Sequence, residues 1–178
     1  MAIRDAYCFI NDLDASTVEG LIARLEFRGK DPTFTQMRDA YLAQLALPPT
    51  AHILELGCGT GVVVRALAQR RGFSGHLVGV DQSPVLIAAA RRLAAEEGVA
   101  QHTEFQIGDV HHLATGNSSF DAVIAHTLLS HVAAPLMVLK EAARVVRPGG
   151  SVAIFDGDFA SLAFAHPDPP LRRPWMRL

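Results

Sequence analysis

Three glycines at alternating positions follow an apolar run, and the segment from 53 to 61 reads ILELGCGTG. Between a β-type run and a helix-type run, such a loop lets backbone amides approach a ligand closely, because glycine has no side chain. The dinucleotide fingerprint GxGxxG would place its third glycine where Val62 stands, so the spacing favours another adenosine ligand over NAD. A tight turn without a ligand is the alternative at this point.

Two carboxylates follow the next predicted strands, Asp81 after HLVGV and Asp109 after FQIG. Asp81 comes about 20 residues after Gly61, the distance at which a carboxylate accepts both hydroxyls of a ribose. The alternative is a turn or N-cap carboxylate ahead of Ser83 and Pro84. Because ligands of open α/β sheets bind beyond the carboxyl ends of the strands, we expect both carboxylates and the glycine loop to face one ligand.

Candidate acid and base groups follow the fourth and fifth predicted strands: His126, His131, Asp156 and Asp158. A histidine near its ordinary pKa can take a proton from a hydroxyl or amine nucleophile. Packing of a loop against the sheet is the alternative for His131, and a solvated turn explains Asp156 equally well. The neighbours His111 and His112 do not share a helical face and no HExxH pattern occurs, so we expect no metal site.

The elements that must position these residues follow from periodicity and punctuation. Apolar residues at helical spacing predict helices at about 15–28, with Gly29 as the stop, and 33–46. Beyond Pro48 and Pro49, strand-like runs at 52–56, 76–80, 103–107, 120–125 and 151–155 alternate with helical runs near 60–71, 84–97 and 135–147. Ser83 is a plausible N-cap, and Gly72 and Gly98 are plausible C-caps. The alternation predicts a doubly wound parallel sheet covered on both faces.

Five segments, in this order, resemble the class I S-adenosylmethionine-dependent methyltransferases, and in particular their small-molecule, type 11-like branch. They are ELGCGTG at 55–61, GVD at 79–81, GD at 108–109, FDAVIAHTLLSHV at 120–132 and RVVRPGGSVAIFD at 144–156. The resemblance implies that the glycine loop packs against the methionine part of the cofactor, that Asp81 binds the ribose and that the residues after the third strand reach the adenine. By the resemblance these roles fall to Gly57, Cys58, Gly59 and Gly61, to Asp81, and to Asp109 with Val110. The predicted cofactor-binding set also includes Glu55, Gln82 and His126, which lie at the ends of predicted strands.

Two further groups of residues have open roles. Glu55 either interacts with the cofactor's ammonium group or accepts hydrogen bonds from loop amides. The resemblance implies that the N-terminal helices fold over the cofactor, where Phe27, Phe34, Met37, Arg38 and Tyr41 are available. Helical spacing favours a packing role for Met37 and Tyr41. Arg24, Arg28 and Arg38 are candidates to hold a carboxylate of the cofactor or of an acidic substrate, although a solvated face explains each one singly.

At its C-terminus the sequence differs from the family that it resembles. A central strand is excluded there by four prolines, Pro167, Pro169, Pro170 and Pro174. We therefore expect a Rossmann-like sheet of order 3-2-1-4-5 without the usual strands 6 and 7, within one structural domain. Its predicted parts are a helical cover of the cofactor site at 1–48, the α/β core at 49–158 and a proline-rich tail at 159–178. The fifth strand would form an apolar edge, so we expect Ala160 to Trp175 to pack across it or two chains to associate there.

Composition narrows the class of protein. The 178 residues are 49% hydrophobic and 19% charged, an ordinary balance for one globular domain with a sizeable core. A net charge of −2 without a basic cluster argues against nucleic-acid or membrane-surface partners. Two cysteines without metal spacing, no export signal and no long apolar run predict a cytoplasmic protein.

Together the patterns predict methyl transfer from S-adenosylmethionine to an unidentified small molecule, with S-adenosylhomocysteine as the product. A nicotinamide-dependent oxidoreductase is disfavoured by Val62 and by the absence of a Tyr-x-x-x-Lys pair. The missing C-terminal elements favour a second alternative, a non-catalytic or truncated S-adenosylmethionine-binding module.

Overall fold

The computed structural model describes residues 6–157, with the backbone alone for residues 6, 8 and 9. A 3-10 helix, Ala6–Asp12, leads into helices α1 (Ala15–Lys30) and α2 (Pro32–Gln44). The chain then alternates strands and helices: β1 (His52–Leu56), α3 (Val62–Ala68), β2 (His76–Asp81), α4 (Pro84–Glu96), β3 (Thr103–Ile107), β4 (Phe120–His126), α5 (Pro135–Val145) and β5 (Val146–Phe155). Short 3-10 helices at Ala100–His102 and Leu129–His131 complete the described elements.

The five strands form a parallel sheet in the order β3-β2-β1-β4-β5. This order confirms the predicted one, and the two N-terminal helices are present as expected. The connections change sides next to β1, so the carboxyl end of this central strand lies at the switch point where ligands of such sheets bind.

Alternating side chains of β1 pack into the two faces of the sheet. Ile53 belongs to the core formed with α3 and α4, whereas Leu54 and Leu56 face the core formed with α5. All three are almost fully buried, which is the pattern expected of a central parallel strand. Glu55 therefore points to the α3 side together with Ile53, and the sheet fixes its position below the glycine loop.

Gly29 does not end α1, contrary to the prediction; the helix continues to Lys30. The end is set by Asp31, whose backbone amide donates to the carbonyls of Phe27 and Arg28, while its side chain caps α2. Gly29 instead allows close packing, because a Cβ atom there would lie 2.6 Å from Cγ1 of Val62 at the start of α3.

Other predicted ends were partly right. Ser83 caps α4 through its hydroxyl, and Gly98 follows that helix with a φ of 71°. Helix α3 ends at Ala68, so Gly72 lies in a later turn and is not a C-cap. Helix α5 ends at Val145 and β5 begins at once, with an irregular register near Phe120 that accommodates Pro148.

Strand β5 forms an edge of the sheet, as predicted. Val152 and Ile154 on this strand are 39% and 49% exposed. The segment expected to cover the edge, Ala160 to Trp175, lies outside the described residues, as does Asp158. The division into parts at 48 and 158 stays a prediction. Within residues 6–157, no helix combines the length and apolarity that crossing a membrane requires.

Candidate functional site

A cavity of about 330 Å³ opens at the carboxyl ends of the strands. Its floor is formed by the loops after β1, β2, β3 and β4, and residues of α1 and α2 form part of its wall. The volume falls within the range of roughly 300–1,000 Å³ that is usual for small-molecule sites.

The glycine loop forms the middle of the cavity floor. Gly57 has a φ of 64°, and a Cβ atom there would lie 2.5 Å from Cδ1 of Leu128. Both observations explain why only glycine fits this position. Gly57, Cys58 and Gly59 border the cavity, whereas Gly61 does not. Gly61 starts α3 and lets that helix pack against Phe105, so its observed contacts are with the core.

Asp81 links the loops after β1 and β2. Its Oδ2 accepts from the Gly59 amide at 2.9 Å, and its Oδ1 accepts from the Ser83 amide at 2.9 Å. The side chain borders the cavity beside Gln82, and burial raises its pKa above the ordinary value. The predicted turn role of Asp81 is therefore present, and each carboxylate oxygen keeps a lone pair for a further donor from the cavity.

Glu55 is 3% exposed and borders the same cavity. Its Oε2 accepts from the Val64 amide in the first turn of α3 at 3.2 Å. Burial raises the pKa of Glu55 to about 8, and the nearby Asp81 adds to the increase. Glu55 is thus a buried acid with one amide partner, and a cation in the cavity would favour its ionised form.

Asp109 and Val110 border the far end of the cavity, beyond β3. Oδ1 of Asp109 accepts from the amide of His111 at 2.9 Å and from Nδ1 of the same residue at 2.7 Å. These hydrogen bonds, the backbone one above all, lower the pKa of Asp109. Val110 is buried and gives this end an apolar surface.

His126 borders the opposite end, where β4 stops. Its ring stacks on Phe155, and Nδ1 lies 3.0 Å from the hydroxyl of Tyr41 on α2. Burial, reinforced by Arg28 and Arg38, lowers the pKa of His126 to about 4. The imidazole is therefore neutral at physiological pH.

Two arginines from the N-terminal helices enter the wall at this end. Nη2 of Arg28 donates to the Thr127 hydroxyl at 2.8 Å, and the guanidinium lies over the ring of Phe34 at 5.3 Å. The side chain of Arg38 is 12% exposed and contacts Asp39 through Nε. Arg24 and Phe27 do not border the cavity, and Met37 is 45% exposed, so the packing role predicted for it was wrong. Tyr41 does pack, against the core.

The remaining catalytic candidates differ in their access to the cavity. His131 borders the cavity, and its ring meets Tyr7 edge to face. Asp156 does not border it and instead accepts from the amide and hydroxyl of Ser130, which fixes the loop after β4. Sequence reasoning missed Thr127, although its place directly after β4 was a usable signal. No group of side chains within residues 6–157 has the composition and proximity of a metal site.

Comparison with known proteins identifies methyltransferases that are similar to this chain in sequence. A family model described as a methyltransferase domain matches residues 53–150. An arsenite methyltransferase of Halobacterium salinarum is 36% identical over 62% of the chain and 28% of its own length. A demethylmenaquinone methyltransferase of Lactiplantibacillus plantarum is 30% identical over 80% of the chain and 57% of its own length. The chain thus spans between about a quarter and somewhat over half of these relatives.

The fold is also similar to that of a methyltransferase of known structure. The crystal structure of a SAM dependent methyltransferase from Aquifex aeolicus superposes with a TM-score of 0.67, at 20% identity, over 81% of this chain and 73% of its own. That likeness supports the architecture, with its parallel sheet and flanking helices.

Proposed function

The chain belongs to the methyltransferase domain family with the class I fold, and from this premise we propose that it binds S-adenosylmethionine and transfers the methyl group to a small molecule. One observation carries the proposal: the glycine loop, Asp81 and Asp109 border a single cavity at three neighbouring strand ends. An adenosine ligand needs an apolar slot for its base and a carboxylate for its ribose, and this cavity offers both in sequence along its floor.

The residues present fit the parts of S-adenosylmethionine. Val110 and Asp109 would border the adenine, and the free lone pairs of Asp81 would accept the ribose hydroxyls. The glycine loop leaves room for the methionine part, because Gly57 and Gly59 present no side chain to the cavity. Glu55 would face the ammonium group, whose positive charge offsets the burial that keeps the Glu55 carboxyl protonated.

The bound sulfonium supplies an already activated methyl group, so the protein need only align a nucleophile and exclude water. The N-terminal helices help to exclude water, because Leu25, Gly29 and Phe34 form part of the cavity wall. We expect the acceptor to approach at the β4 end, because the adenosine would occupy the end that is bordered by the loops after β2 and β3.

His126 is a poor general base for this reaction. A base works best when its pKa lies near the working pH, and the pKa of His126 falls to about 4. Its Nδ1 is also engaged by Tyr41, whose hydroxyl has no other hydrogen-bond partner within the described residues. With Nδ1 engaged in this way, only Nε2 of the ring remains to contact an acceptor.

Calorimetry with S-adenosylhomocysteine tests the cofactor assignment. We expect Asp81→Ala to weaken binding by about 1.5 to 3 kcal/mol, because charge-assisted bonds to the ribose are lost. Asp12→Ala, which removes an exposed aspartate outside the cavity, is the matched control and should bind as the unmodified protein does. Unchanged affinity in Asp81→Ala would contradict the ribose role, and preference for NAD over S-adenosylhomocysteine would support an oxidoreductase.

Turnover is a separate question from binding. Formation of S-adenosylhomocysteine in the presence of a broad panel of hydroxyl, amine, thiol and carbon acceptors would support the enzyme. Tight binding without turnover across the whole panel would support a non-catalytic cofactor-binding module instead.

A further inference from the structure

The two ends of the cavity carry opposite charges. At the β2 and β3 end, Asp81 and Asp109 supply carboxylates, while at the β4 end Arg28 and Arg38 supply guanidinium groups. Because β1 lies between β2 and β4 in the sheet, an adenosine above β2 and β3 directs the reactive part of the cofactor towards the arginines. The acceptor must therefore bind where the charge is positive.

Arg28 is held in a fixed orientation without an acidic partner. Its Nη2 donates to the neutral hydroxyl of Thr127, and Phe34 lies under the guanidinium plane. Within residues 6–157 no carboxylate forms an ion pair with this side chain, although it borders the cavity. The remaining donors of the guanidinium can meet an anion in the cavity, and the planar fork favours a carboxylate.

The groups around Arg38 differ from those around Arg28. It acts electrostatically on Glu55, which lies below the glycine loop, and its own ion partner, Asp39, is exposed. Once an ammonium group in the cavity favours the ionised form of Glu55, Glu55 and Arg38 are suited to an ammonium and a carboxylate on one carbon atom. The cofactor's amino-acid part fits this pair, and Arg28 is then left for a second anion.

We propose that the methyl acceptor is a small carboxylate-bearing molecule and that Arg28, anchored between Thr127 and Phe34, holds its carboxylate. The inference rests on the proposed function and specifies the substrate class of the same cavity. Anchoring lowers the entropic cost of binding, because the guanidinium already has the orientation that a bidentate contact requires. Fixing the carboxylate at the β4 end would leave another atom of the acceptor to meet the methyl group.

The test uses the whole chain saturated with S-adenosylhomocysteine and ligand-observed NMR with matched fragment pairs, each a carboxylic acid and its primary amide. We expect acids to predominate among the bound fragments, and this preference to fall about tenfold or more in Arg28→Gln. Arg28→Lys, which keeps the charge but lacks the fork, should retain part of the preference. Arg24→Gln removes an exposed arginine of the same helix outside the cavity and should behave as the unmodified protein does.

Calorimetry with S-adenosylhomocysteine on the same variants separates the two arginines. We expect Arg38→Gln to weaken its binding and Arg28→Gln to leave it within twofold. Equal loss in both variants would overturn the proposal, because Arg28 would then hold the cofactor's own carboxylate. Acids and amides binding alike, or neither binding, would also overturn it. Failure of the unmodified protein to bind S-adenosylhomocysteine would instead refute the proposed function.

Discussion

Glu55 is an ionisable residue at a buried position, where packing alone would favour an apolar side chain. Buried positions of a central parallel strand usually carry apolar side chains, and the one amide partner of Glu55, at Val64, does not offset the loss of water. The raised pKa of about 8 expresses this imbalance. Removal of the proton therefore costs stability unless a cation enters the cavity.

This imbalance predicts a pH dependence of the free energy of unfolding. Glu55 has an ordinary pKa of 4.5 and a folded pKa of about 8, so between these values the folded protein holds the extra proton. Its contribution to stability is complete below pH 4.5 and is lost as the pH rises through 8. In Glu55→Gln, which resembles the protonated acid, we expect a smaller loss of stability between pH 6 and 9, measured by urea unfolding.

The exposed Glu19→Gln variant controls for the general effect of removing a negative charge. Its unfolding free energy should follow that of the unmodified protein across the pH range. If Glu55→Gln loses stability with pH as steeply as the unmodified protein, the carboxyl of Glu55 is not the group that titrates.

At the scale of elements, a buried arginine joins three helices. Arg65 on α3 is 4% exposed and forms ion pairs with Glu26 on α1, at 2.7 Å, and with Glu97 at the end of α4. This is a main polar link between the N-terminal helices and the core, and α1 also carries Arg28 into the cavity wall. The position of α1, and with it that of Arg28, thus depends in part on the contact between Arg65 and Glu26.

We expect Arg65→Met to lower the free energy of unfolding by about 2 to 4 kcal/mol, because two partly buried glutamates lose their partner. Arg92→Met is a matched control, since Arg92 pairs with Glu96 on the surface of α4 at 2.7 Å. An exposed pair of this kind contributes about 0.5 kcal/mol or less. Equal effects of the two substitutions in urea unfolding would contradict the linking role of Arg65.

Elements were more predictable than the contacts between them. The alternation of strands and helices, and the resemblance, led to the correct sheet order, because hydrophobic periodicity and punctuation are local signals. Tyr41 and His126 meet across 85 positions, and Arg28 and Thr127 across 99, distances at which no local pattern reports a contact. The prediction for Met37 was wrong for a related reason. Helical spacing identifies an apolar face, but it cannot tell which part of that face another element covers.

At the scale of the molecule, the edge of the sheet at β5 bears on whether chains associate. Strand β5 spans ten residues and is an edge strand of the sheet formed by residues 6–157, with Val152 and Ile154 exposed on it. On helix α5, which contacts β5, the apolar side chains of Leu136 and Met137 are also exposed. Natural sheets usually protect such an edge with charge, a bulge or a covering segment.

Two predictions stand for this edge, cover by Ala160 to Trp175 or association of two chains through β5, and the state of assembly tests the second. Sedimentation velocity over a wide range of protein concentration should show a dimer for the unmodified chain and a monomer for Ile154→Lys, since a lysine blocks pairing at an edge. Ile107→Lys is the matched control, because Ile107 is the exposed isoleucine on the opposite edge strand, β3, and should leave the dimer intact. A monomer at every concentration, or a dimer that survives Ile154→Lys, would contradict association through β5. In the latter case, dissociation by Ile107→Lys would assign the interface to the β3 edge, beside the Asp109 end of the cavity.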